Sequence, residues 1–163
     1  MKTVKAQHVS NELLKDMGKA IRITADTKPD AQSDIQTYYG QLALMQCTGE
    51  IQIGICVAKN REYIVNELER HAETAELLVA LKGDFVTAVA PSIEVGGRLC
   101  PDMKKVIAVR VNEGEGVFFK EDVWHWTPYA ITPDCDVLVA FKKDTPNNDF
   151  LAYQLDEPIK MEL

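Results

Sequence analysis

Beyond about position 50 the chain is built from short runs in which apolar residues alternate with polar ones or cluster briefly between turns. Ile51-Gln52-Ile53-Gly54-Ile55-Cys56-Val57 alternates with a period of two, the repeat that places every second side chain on one face of a strand. Leu77-Leu78-Val79-Ala80-Leu81 reads as a buried run stopped by Lys82-Gly83-Asp84. Phe85 to Ala90 is a further strand closed by Pro91, and Val106 to Val111 is another, ending at Asn112-Glu113-Gly114-Glu115-Gly116. Val117-Phe118-Phe119 and Val137 to Phe141 complete the series. Strands spaced by about 8–12 residues and punctuated by Gly and Pro predict an all-β sandwich or barrel. One helix precedes them. Ser10 is a good N-cap, Leu13, Leu14 and Met17 follow at helical spacing, and Gly18 reads as the stop at C′. Ala25 to Asp34 is a polar loop, Gly96-Gly97 and Cys100-Pro101-Asp102 mark a longer one, and Phe150 to Leu155 reads as an edge strand.

With 163 residues, the length prior favours one domain over residues 1–163, with a helix and arm in 1–24 and a C-terminal extension in 144–163. The composition is 46% hydrophobic and 26% charged, enough apolar material for a real core. The net charge of -7 argues against a nucleic-acid footprint and against docking on anionic membranes. No run approaches the roughly 20 apolar residues that span a bilayer, and no apolar signal segment follows the first lysines. Cys47, Cys56, Cys100 and Cys135 form no C-x-x-C pair, so reduced thiols and a cytoplasmic location are expected. Only His8, His71 and His125 supply imidazole. Any chemistry that needs it is confined to those three.

Two of the three stand in patterned surroundings. Glu69-Arg70-His71 places Glu69 and His71 on one side of a strand; Glu76 follows, and six residues separate it from Gly83. A second block runs from Gly114 through Lys120 and Asp122 to His125. This resembles the paired motifs of the cupin superfamily. Glu69 stands where the first motif has a His, and Lys120 and Asp122 stand where the second has Pro and Gly. The fold implied is a cupin-type double-stranded β-helix, a jelly-roll barrel with a short N-terminal helix. Two imidazoles with one or two carboxylates suit Zn, Mn, Fe or Ni, so Glu69, His71, Glu76 and His125 form the metal set to test. The departure from three histidines leaves a metal-free pocket equally open.

Finer detail is similar to the ureidoglycolate lyase family, older name ureidoglycolate hydrolase. The resemblance rests on Asn66-Glu67-Leu68-Glu69-Arg70-His71, Lys82 to Val86, Gly116-Val117 and Val123-Trp124-His125, within a span from about Val9 to Phe141. It implies a homodimeric enzyme of allantoin and purine breakdown that cleaves ureidoglycolate, a small hydroxy acid carrying a ureido group, to glyoxylate and urea. Catalytic candidates are His71, His125 and Glu76, with acid and base roles left open. Glu69, Tyr129 and Lys142 are the substrate-binding candidates. Phe118, Phe119 and Trp126 stand where polar groups are expected, so two other readings stay open. One is a metal- or small-acid-binding cupin without catalysis. The other is a metal-dependent cupin of different activity, such as a dioxygenase or isomerase. Arg70 is expected to point away from the site into a surface or interface pair, and Trp124 and Trp126 to face opposite to His125.

Overall fold

The computed structural model describes residues 1–163. Its strands, in chain order, are β1 (Lys2–His8), β2 (Gly18–Ile21), β3 (Ala31–Gln32), β4 (Thr37–Tyr38), β5 (Ile51–Lys59), β6 (Ile64–Arg70), β7 (Glu76–Lys82) and β8 (Phe85–Ala90). They continue with β9 (Ser92–Val95), β10 (Arg98–Pro101), β11 (Ile107–Val111), β12 (Gly116–Phe119), β13 (Trp124–His125), β14 (Tyr129–Ala130), β15 (Asp134–Lys142) and β16 (Leu151–Glu162). The helices are short: α1 (Asn11–Leu14), running into a 3-10 turn, and α2 (Thr145–Asn148).

Seven strands form one sheet in the order β11-β1-β16-β6-β13-β8-β14, and β11 also pairs with β8. That extra pairing closes six of the strands into a ring. A five-stranded sheet, β2-β12-β7-β15-β5, packs on one side of it. Strand β8 shows why two cores result. Phe85 and Val89 point to a cluster shared with Val117, Phe119 and Val137 of the second sheet, while Val86, Ala88 and Ala90 point the opposite way. The latter join Leu68, Trp124, Ile159 and Met161 inside the ring. Every residue of β8 is buried, as a strand covered on both faces requires. The all-β barrel with a short N-terminal helix is therefore as expected.

Several local expectations are revised. The first residues are not an arm: β1 lies in parallel between β11 and β16. The segment after Lys143 is not an extension with an edge strand either, because β16 runs 12 residues between β1 and β6. Gly96 and Gly97 turn a tight β9–β10 hairpin, both at positive φ, rather than an open loop. Ser10 does cap α1, accepting from the Leu13 N–H at 3.0 Å. Gly18 is not a left-handed stop, however; it is extended, and a Cβ there would lie 2.0 Å from the Phe118 carbonyl oxygen. Its role is the close approach of β2 to β12. Leu81 is exposed, since β7 alternates rather than being buried throughout. The apolar positions of β5 also face solvent: Ile51, Ile53, Ile55 and Val57 are all exposed.

Candidate functional site between the two sheets

Glu69 and Leu68 leave β6 on opposite faces. Leu68 fills the ring, and Glu69 points toward the five-stranded sheet. His71 follows two residues later on Glu69's side, and β13 sets His125 directly across from Glu69 in register. Glu76 opens β7 from the facing sheet. The ligating atoms of Glu69, His71 and His125 lie within 4.8 Å of one another. His71, Glu76 and His125 are only 5%, 8% and 2% exposed. Phe119 stacks on the His125 ring at 5.0 Å, the two imidazoles meet edge to face at 5.3 Å, and Phe141 sits 6.3 Å from His71.

The orientation of both imidazoles is set by backbone. His71 Nδ1 lies 2.7 Å from the Asp149 carbonyl oxygen, and His125 Nδ1 lies 2.9 Å from that of Val123. A carbonyl oxygen only accepts, so both Nδ1 atoms carry the proton and donate it. In a neutral ring the Nε2 atom is then a bare lone pair. Both Nε2 atoms aim at the same oxygen, Glu76 Oε2, at 2.7 Å from His125 and 3.3 Å from His71. The 2.7 Å contact has ion-pair length without hydrogen-bond alignment, and neither His125 Nε2 nor Glu76 Oε2 has a partner elsewhere. Lone pairs facing a carboxylate oxygen in a buried site repel. The arrangement is satisfied by a proton on an imidazole or by a cation.

The charges respond accordingly. Burial works to raise the Glu76 carboxyl, but the His125 charge and the contacts with both imidazoles outweigh it and hold it at about 2. Burial works to lower His71, and contact with Glu76 outweighs that to raise it. Glu69 is pushed up, chiefly by burial. These directions fix a pH window for stability. Glu76, lowered from 4.5, stabilises the fold above about pH 4.5 and loses that contribution as pH falls toward 2. His71, raised from 6.5, stabilises below about pH 6.5 and loses its contribution as pH rises through its folded value. Glu69, a carboxyl raised on folding, runs against Glu76: its contribution is full below about pH 4.5 and is lost as pH rises from there through its folded value. Thermal unfolding of chelator-treated protein is therefore expected to show this site's contribution greatest between about pH 4.5 and 6.5. A midpoint that rises steadily from pH 6.5 to 8 on replacing nothing but buffer contradicts that assignment.

Two of the substrate-binding candidates are otherwise engaged. The Tyr129 hydroxyl donates to the Ile64 carbonyl at 2.6 Å, and its ring lies in the cluster inside the barrel ring. The Lys142 ammonium sits on Glu73 Oε2 at 2.5 Å. Arg70 pairs with Asp122 and lies over Trp124, away from the imidazoles, and Trp124 is buried inside the ring, both as expected. Asp122 takes positive φ where the cupin motif has Gly. Its backbone is held there by N–H donation to the His71 carbonyl at 2.8 Å and by Ser92 Oγ on its own carbonyl at 2.5 Å.

Asp149 was not among the sequence candidates. Buried just after α2, it accepts from the Ala72 and Glu73 N–H groups at 2.9 and 2.7 Å while its carbonyl holds His71. Phe141, beside His71, has no sequence signal beyond its strand, while Phe119, marked in the sequence only as an apolar residue where a polar group is expected, is the ring stacked on His125.

A barrel that brings two imidazoles and two carboxylates together from both halves of an all-β chain is a cupin-type site, and it carries a His/Glu set suited to a metal ion. The family model described as Ureidoglycolate lyase matches residues 1–162, and the chain belongs to that family. The match supports an enzyme of that type acting on a small molecule. No curated protein matches the sequence. Among solved structures, a mutant of Bacillus subtilis oxalate decarboxylase OxdC is 14% identical with a TM-score of 0.41. It covers 66% of this chain, which spans 24% of the decarboxylase. A mutant of the 3,4-ketoisomerase QdtA from Thermoanaerobacterium thermosaccharolyticum, in complex with TDP-4-keto-6-deoxyglucose, is 15% identical with the same TM-score, covering 83% of this chain and 87% of its own.

Proposed function

We propose that the pocket between the sheets breaks the C–N bond of ureidoglycolate through His71, His125 and Glu76. The observation that carries this reading is the convergence of both Nε2 atoms on Glu76 Oε2. The substrate is a hemiaminal: one carbon bears a hydroxyl, a carboxylate and the ureido nitrogen. His125 Nε2 takes the hydroxyl proton, the C–O bond becomes the carbonyl of glyoxylate, and the C–N electron pair leaves with nitrogen. His71, raised by Glu76, delivers a proton to that nitrogen and urea departs. Glu76 stays ionised throughout and balances the imidazolium. Phe119 and Phe141 keep water from the reacting groups.

The site fits a divalent transition metal, because its unpartnered buried Nε2 and carboxylate oxygen are what an ion would satisfy. Glu69, His71 and His125 would hold Zn, Mn, Fe or Ni through the same Nε2 atoms, with Glu76 beside them, so a bound ion would be the alternative to the two imidazole proton transfers and not an addition to them. Bound there, the ion would polarise substrate oxygen as a Lewis acid. Four unpaired cysteines favour a reducing, cytoplasmic setting, and we read the active form as a homodimer within one domain. A coupled assay for glyoxylate and urea tests the activity. Equal molar release of both products is expected; folded, metal-supplemented protein that releases neither sinks the reading.

A further inference from the structure

Strand β5 is the edge of the five-stranded sheet, and its inner side carries groups that the proton transfers leave unused. Its pairing with β15 is unbroken in register, so paired residues point to the same side. On β15, Val137 and Val139 pack in the core between the sheets, and Phe141 lies 6.3 Å from His71. Their partners on β5 are Cys56, Gly54 and Gln52. These three therefore face the site, while Ile53 and Ile55 face away from it.

Both ends of this inner row reach the acid and imidazole groups. Gln52 stands beside Phe141, the ring next to His71. The Cys56 thiol is pushed up chiefly by burial, meets the Thr127 hydroxyl and feels the charge of Glu76. Gly54 lies midway between them, and a Cβ built on it would meet no atom within 4 Å. Gln52 and Gly54 are exposed even though they face inward, so the site opens to solvent along the first half of β5. Glu69 agrees with that position: of Glu69, His71, Glu76 and His125, it alone is not buried.

Gln52 reaches this opening with a set orientation. Its Oε1 accepts the Asp144 N–H at 3.1 Å. A backbone N–H only donates, so the amide oxygen is the atom held there and the Nε2 hydrogens are left to donate elsewhere. Asp144 begins α2, and Asp149 at the other end of α2 holds His71 through its carbonyl. One short helix thus ties the amide to the imidazole.

We propose that the open space before Gly54 seats the ureido group of the substrate, with Gln52 Nε2 donating to its carbonyl oxygen and Glu69 accepting from its terminal NH2. A ureido group carries one acceptor flanked by donors. The opening offers the complement, an amide donor on β5 and a carboxylate on β6. The carbon that bears the hydroxyl then lies inward, at the imidazoles. This subsite rests on the lyase reading and names the residues that select its substrate.

The test uses two small acids on metal-supplemented full chain. Ureidoacetate keeps the carboxylate and the ureido group but lacks the hydroxyl; glycolate lacks the ureido group. Gln52→Glu retains an acceptor for the Asp144 N–H and loses the donor. By calorimetry it is expected to weaken ureidoacetate about 10-fold more than glycolate, the effect of one lost hydrogen bond. Gly54→Val fills the open space with a residue suited to a strand, so its thermal midpoint is expected to hold or rise. Its ureidoacetate binding and its kcat/KM are expected to fall about 100-fold, the scale of a steric clash, with glycolate binding kept. Equal losses for both acids in folded Gln52→Glu overturn the proposal, and so does Gly54→Val protein that binds ureidoacetate as the wild type does. If Gly54→Val does not fold, Gly54→Ala decides: ureidoacetate weakened more than glycolate supports the subsite, and no difference overturns it. Wild-type protein that prefers ureidoacetate to glycolate but releases no glyoxylate supports the subsite and sinks the lyase reading alone. Wild-type protein without that preference overturns the subsite whatever its turnover.

Discussion

The His125→Gln variant is expected to lose between about 100-fold and 10,000-fold in turnover, the range removed with a general acid or base. His125 sits closer to Glu76 than His71 does, and its buried Nε2 has no hydrogen-bond partner. Glutamine keeps a polar group and most of the volume but cannot take the proton. Alanine is the poorer test. His125 is 2% exposed and stacked on Phe119, so truncation opens a hole and lowers stability as well as turnover. With Gln, a cost of about 1–3 kcal/mol is expected from the polar group left unpaired. Thermal unfolding and a glyoxylate progress curve on one sample check both halves. Full turnover in a folded His125→Gln protein removes His125 from the chemistry.

The second large effect is expected at a residue that touches no substrate. Asp149→Ala deprives the Ala72 and Glu73 N–H groups of a buried charged acceptor, at a cost of about 2–4 kcal/mol. The turn carrying His71 loosens, and the carbonyl that sets its tautomer shifts with it. Turnover is expected to fall about 10- to 100-fold, as when a partner orienting an active-site histidine is removed. KM should change little, because binding groups are untouched. Asp149→Asn keeps one acceptor and turns an amide N–H toward the second backbone N–H, so an intermediate loss is expected. A His71 imidazole signal that titrates identically in wild type and Asp149→Ala contradicts the positioning role.

Asp149 also marks where sequence reading ends. Glu69 and His71 are two apart on one strand, and Glu76 and His125 stand at motif distances, so period-two geometry brings them to mind from the sequence. Asp149 is far from His71 in the chain and holds it by a main-chain carbonyl, which any residue type provides. No side-chain pattern encodes that contact. Tyr129 and Lys142 show the reverse limit. Each has the right chemistry for an anion, but neighbours that only the fold supplies, the Ile64 carbonyl and Glu73, already occupy it.

The strands divide along the same line. Phe85 to Ala90 is apolar at nearly every position and could only be buried on both sides. The alternation from Ile51 to Val57 identified a strand and left its outward face undetermined, since period two does not say which side meets the core. Lys2–His8 escaped notice because only Val4 and Ala6 carry its buried side; lysines and other polar residues hold the rest. Its place in the ring is set by partners, not by its own hydrophobicity.

That place bears on how the molecule reaches its final form. Lys2 pairs with Ile159 and Ala6 with Ala108, so β1 has no partner until about a hundred further residues have been made. Pairings so distant in sequence make for slow folding, because loop closure must be paid before contact is gained. For that interval β1 stays unpaired, and the ring closes only when β16 arrives to bridge β1 and β6. A protein stalled short of that strand is an open sheet with two raw edges, the species most prone to aggregate and to need a chaperone.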